Sequence, residues 1–106
     1  MRNLTKEEFR TYCLLYAADA DFNITKQEII AIGAKIAPED FIRVYNWFEA
    51  DGDMDRIETI QSNKVQYINN DDEKNSLIKE LKEVFFADGV FDSVEKSIFF
   101  MLKKLL

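Results

Sequence analysis

The chain has 106 residues with 20 Asp and Glu against 14 Lys and Arg, a formal charge of −6 and no His. That length suits one domain, 47% apolar and 13% aromatic residues argue against disorder, and the negative field argues against a phosphate backbone as partner. Three Gly and one Pro are too few turn residues for a many-stranded sheet, so the expected fold is all-α, a single bundle of about six helices over residues 1–106.

The first helix is announced by "LTKEEF". Thr5 at the N-cap faces Glu8 at N3 in a capping box, and Leu4 is placed to close on Phe9 as a hydrophobic staple. From Tyr12 to Ala18 the run is apolar on every face, which predicts a central helix covered on several sides. Cys13 lies inside this run, where a buried thiol is expected.

A second helix starts at Thr25, with Glu28 returning the cap bond and Ile29, Ile32, Gly33 and Ile36 as its inward stripe; Ala37 and Pro38 stop it. Pro38 suits the first turn of a third helix, with Glu39 and Asp40 at its positive end and Phe41, Val44, Tyr45 and Phe48 along one side. Trp47 falls at the edge of that stripe. After the acidic turn "EADGDMD" a fourth helix is expected from Arg56 to Ile68 with Ile57, Ile60, Val65 and Ile68 inward.

The run "NNDD" ends the fourth helix and caps the fifth, which carries Leu77, Leu81, Val84 and Phe85. A sixth carries Val94, Ile98, Met101, Leu102 and Leu105, with Lys103 and Lys104 at its negative end. Helices this short are unstable alone in water, so packing must hold them.

One pattern goes beyond helix building. "DFNITKQE" at 21–28 and "DGVFDSVE" at 88–95 share a grammar at an offset of 67 residues, pairing Asp21 with Asp88, Ile24 with Phe91, Thr25 with Asp92 and Glu28 with Glu95. "DGDMDRIE" places Asp51, Met54, Asp55 and Glu58 in the same register, which predicts three helix-turn-helix corners on one plan. Reciprocal capping by Thr25 with Glu28 and by Asp92 with Glu95, and stapling by Ile24 and Phe91, explain most of each octet. Asp21 and Asp88 have no obligatory part in a cap.

A second reading makes the octets sources of oxygen ligands, with Asp21, Glu28, Asp88 and Glu95 sharing a hard divalent cation such as Ca²⁺ or Mg²⁺ if the corners pack face to face. An EF-hand loop does not fit. Asp19, Asp21 and Asn23 have its early spacing, but Ile24 and Ile30 stand where Gly and Glu are required, and Asp51, Asp53 and Asp55 fail the same test at Arg56 and Ser62.

The motif Asp-Gly-x-apolar-x-x-x-Glu between helices, near both ends of a small acidic chain, resembles the TerB-like domain of tellurite-resistance and stress-associated proteins. "FADGVFDSVEKSIFFML" carries the closer match, and "YAADADFNITKQEIIAI" follows it with Phe22 where the second octet has Gly89. The resemblance spans roughly residues 5 to 106. It implies an all-helical fold, a cytoplasmic and non-enzymatic role linked to stress response, and a divalent metal held at the paired corners by Asp21, Glu28, Asp88 and Glu95.

Without His, the commonest general base and His-ligated zinc are missing, and no phosphate-cradling Gly-rich loop or G-x-S-x-G turn occurs. No secretory leader and no apolar run of membrane-spanning length is found, so a soluble, cytoplasmic module is expected, acting with another protein. The rival expectation is a metal-independent interaction module with an exposed apolar patch that includes Trp47 or Phe99. Tyr12, Tyr16, Phe41, Tyr45, Trp47 and Phe48 are expected in the core; lining a small-ligand pocket is their other reading.

Overall fold

The computed structural model describes residues 2–19, 26–85 and 93–106; the side chains of residues 28, 84, 85, 93–95, 98 and 99 lie outside that description. Among the described residues six helices follow in order: α1 Lys6–Ala18, α2 Lys26–Gly33, α3 Pro38–Ala50, α4 Asp53–Tyr67, α5 Asp71–Phe85 and α6 Ser93–Leu105. Among the described residues there is no strand, and no helix is long and apolar enough to cross a membrane.

The helix that is apolar all round is the axis of the structure. α1 packs against all five others, and Tyr12, Cys13 and Leu15 are wholly buried along it. Its start follows from local chemistry: the Glu8 N–H donates to Thr5 Oγ1 at 3.2 Å, and the Thr5 N–H donates to Glu8 Oε1 at 2.8 Å. Leu4 and Phe9 are both buried, as a staple requires.

Around α1, one buried cluster takes Ile32 from α2, Val44 and Phe48 from α3, Ile60 from α4, Leu77, Ile78 and Leu81 from α5 and Leu102 from α6. Full burial of each large apolar side chain contributes about 1.5–3 kcal/mol, and this holds helices too short to persist alone. The aromatics resolve as core: Tyr12 and Phe48 meet edge to face at 5.5 Å, and Tyr16, Phe41, Tyr45 and Trp47 pack against the cluster.

Four of the helices, α1, α2, α5 and α6, pair in a pattern that is closed under one exchange, while α1 alone also packs closely on α3 and α4. α1 packs on α2 and α5 packs on α6; α1 touches α6 and α5 touches α2; and α1 lies against α5. Swapping α1 with α5 and α2 with α6 leaves this set unchanged. Lys6 shares a groove with Asp72 and Glu73, Arg10 meets Glu80, and Leu14 shares a smaller groove with Glu83, so α1 and α5 run in the same direction.

Several expectations need correction. α2 ends at Gly33, and Ile36 sits in the bend beyond it instead of on the helix. α4 begins three residues earlier than expected, because Gly52 serves as its N-cap and Asp53 and Asp55 suit the positive first turn.

Val65 is 70% exposed, since it lies about 140° around the helix from Ile60; Thr59 and Asn63 turn inward instead. Met101, 38% exposed, is also off the buried stripe that Leu102 occupies. At α5 the expected cap holds: the Glu73 N–H donates to Asn70 Oδ1 at 2.8 Å.

Candidate functional site

Asp21 and Asp88 lie outside the described residues. Glu28 and Glu95 fall on α2 and α6, but their side chains are also outside that description. The caps by Thr25 and Asp92 and the staples by Ile24 and Phe91 belong to the same undescribed stretches.

The third corner, between α3 and α4, is described, and it departs from the shared plan. Asp55 is inside α4 instead of capping it, and the Gly52 N-cap makes no side-chain bond. Asp51, the counterpart of Asp21 and Asp88, caps the C-terminus of α3 and is spent on protein partners. Its Oδ2 accepts from Tyr12 OH at 2.7 Å and from Arg2 Nε at 3.2 Å, and its Oδ1 accepts from Arg2 Nη2 at 3.1 Å.

Burial opposes ionisation of the Asp51 carboxyl, but the Arg2 and Tyr12 hydrogen bonds outweigh it and hold the group below its ordinary range. Burial and the same bond push the Tyr12 phenol far upward, so it stays protonated. Cys13, wholly buried, is likewise held as an unreactive thiol.

Arg56 ties three helix ends together. Its Nε and Nη2 donate to Phe48 O at 3.1 and 2.8 Å, a carbonyl in the last turn of α3 that also accepts from the Asp51 N–H at 3.3 Å, while its Nη1 donates to Asp19 Oδ2 at 3.0 Å at the end of α1. The guanidinium also lies 3.8 Å from the Phe48 ring centroid. Despite this partner the Asp19 carboxyl is raised, because burial and the nearby Glu49 and Asp53 outweigh an Arg56 shared with a carbonyl. Besides Asp53 one turn away at 3.8 Å, the partners of Arg56 sit 8 and 37 positions away, where no sequence signal marks them.

On the neighbouring face, Arg2 and Arg43 both lie over Trp47, at 5.1 and 5.6 Å from its ring. Arg43 also reaches the buried Glu8 at 2.9 Å and Asp40 at 2.6 Å. Trp47 is half-buried beside these two cations, and the side chain of Phe99, the other residue named in the rival expectation, lies outside the described residues.

A groove of about 350 Å³ lies between the N-terminal half of α1, the end of α4 and the first turns of α5. Phe9, Tyr67, Ile68 and Leu77 give it apolar lining; Lys6, Arg10, Glu7, Asp72, Glu73 and Glu80 bring charge to it. It forms only where three helices meet, and none of them announces it alone.

Family models, curated proteins and solved structures were compared with the chain, and none matches.

Proposed function

We propose that the chain is a TerB-like, non-enzymatic helical module of the cytoplasm in which Asp21, Glu28, Asp88 and Glu95 hold one Ca²⁺ or Mg²⁺ between two duplicated corners, and that it serves a stress response through a protein partner. One observation supports the reading above others. The octets join α1 to α2 and α5 to α6, and these two pairs pack with the exchange-closed pattern while α1 and α5 run the same way. A two-corner frame of this kind would let four carboxylates from both octets contribute to the oxygen shell that a hard divalent ion takes, with water completing it.

Calorimetric titration and thermal unfolding with Ca²⁺, Mg²⁺, Mn²⁺ and Zn²⁺ test it. One ion per chain is expected to bind. At ten times the dissociation constant it stabilises the fold by about 1.4 kcal/mol, and Asp21→Asn or Asp88→Asn removes the effect. No heat and no stabilisation at millimolar ion overturn the cation reading.

A metal-independent interaction module is the second reading. It is favoured by adjacent Phe100 and Met101 on α6, 60% and 38% exposed, with the Lys103 ammonium 5.9 Å from the Phe100 ring. This reading expects a partner that persists in chelator and is lost in Phe100→Asp.

A further inference from the structure

We propose that the groove between α1 and α5 is a binding site for a small organic ammonium, a protonated or quaternary nitrogen on an apolar body. Its volume of about 350 Å³ falls within the range of small-molecule sites and is too small for a partner helix.

The lining is aromatic and apolar at the base. Half-buried Tyr67 and Ile68 present the apolar surface, and Phe9, its ring centroid 5.6 Å from that of Tyr67, and Leu77 back them from the core. Aromatic rings attract a positive nitrogen through their quadrupole while accepting the hydrocarbon around it.

Charge selects the sign of the ligand. Four carboxylates, Glu7, Asp72, Glu73 and Glu80, line the groove against two cations, Lys6 and Arg10. Arg10 is committed to Glu80 at 3.4 Å and to Lys35 O at 3.0 Å, so it is not available to an anion. Glu73 accepts from the neutral Asn70 amide at 3.2 Å instead of from a cation. Among the described residues Glu7 and Asp72 form no ion pair, and neither does Lys6, which is exposed. The lining side chains therefore carry a net charge of −2, or −1 with Lys35, which reaches Glu80 at 3.6 Å from outside the lining, over an apolar base, a pattern that penalises anions.

An inorganic cation fits less well. Among the described residues no three acidic side chains gather closely enough to hold a metal ion, and an apolar base cannot replace the water a hard ion sheds. An organic ammonium with a weakly held hydration shell meets both the carboxylates and the rings.

The test is a titration of ¹⁵N-labelled protein, in chelator and at low ionic strength, with benzyltrimethylammonium, benzyl alcohol and 3-phenylpropanoate. The ammonium is expected to give saturable shifts at the amides of Phe9, Arg10, Ser76 and Leu77, to bind more tightly than the alcohol, and to exceed the carboxylate by more. Added salt weakens it.

Asp72→Asn and Glu7→Gln, both at exposed positions outside any ion pair, are each expected to weaken the ammonium by up to about fivefold and leave the alcohol unchanged. Equal affinity for ammonium and alcohol, tighter binding of the carboxylate, shifts confined to other residues, or no shifts at all overturn the proposal. The comparison of probes decides it on the wild-type protein even if a variant fails to fold. Chelator keeps the outcome separate from the fate of the Ca²⁺ or Mg²⁺ reading.

Discussion

The Tyr12 hydroxyl donates to Asp51 Oδ2 at 2.7 Å, tying the middle of α1 to the C-cap of α3 across 39 positions of sequence. Arg2 grips the same carboxylate with two donors, so one side chain orients the N-terminal arm, the central helix and the corner before α4. Asp51→Ala is expected to cost about 2–3 kcal/mol, because the wholly buried Tyr12 loses its acceptor and Arg2 its partner. Asp51→Asn keeps an acceptor for Tyr12 and is expected to cost about half as much. Chemical denaturation, read as a shift in midpoint at constant slope, distinguishes them.

Acid should weaken the fold through two carboxylates. Burial pushes the Glu8 carboxyl up, but the Thr5 N–H and Arg43 more than reverse this and leave it lowered; Asp51 is also lowered. A lowered folded-state pKa means a contribution complete above the ordinary values, 4.5 for Glu8 and 3.8 for Asp51, and lost as pH falls through the folded-state values.

Asp19 has the opposite sign. Its raised pKa favours the fold below its ordinary 3.8, and that contribution is lost as pH rises through the raised value. Stability measured from pH 7 down to pH 3 should therefore fall, less steeply in Asp51→Asn, while Asp19→Asn should lie within about 0.5 kcal/mol of wild type at pH 7.

Asn63 is the hidden polar tie. Its Oδ1 accepts from the Leu4 N–H at 3.0 Å, and its Nδ2 donates to Arg2 O and Thr59 O, both at 2.8 Å. Asn63→Ala strands the buried Leu4 N–H and is expected to cost about 2 kcal/mol. Hydrogen exchange at Leu4 should accelerate far more than exchange in the middle of α1.

Two apolar positions on α4 that read alike in the sequence should behave differently. Ile60→Ala is expected to cost about 2–5 kcal/mol, since its side chain is wholly buried, whereas exposed Val65→Ala should stay within about 0.5 kcal/mol. Thermal unfolding of the two variants checks the register.

What could be read from the sequence was what local chemistry decides. The Thr5–Glu8 box, the all-apolar run of α1, Pro38 at the head of α3 and the Asn70 cap each depend on residues within one or two turns, and each is present. Periodicity failed on α4, where buried Thr59 and Asn63 are polar and Val65 is apolar but exposed, reversing the usual signal. It also failed at the corner before α4, where Gly52 caps without a side chain while the Asp55 pattern points elsewhere. The Arg2–Asp51 and Arg56–Asp19 pairs and the groove were illegible because the groups involved are far apart in sequence and no local rule brings them together.

The cation seat is tested most directly by paramagnetic broadening with substoichiometric Mn²⁺ on ¹⁵N-labelled protein, before and after competition with Ca²⁺ or Mg²⁺. A single ion shared by Asp21, Glu28, Asp88 and Glu95 broadens the amides of 21–28 and 88–95 together, with both segments recovering in Asp88→Asn. Broadening confined to one segment, or centred on the acidic residues at the head of α5, would contradict a common site.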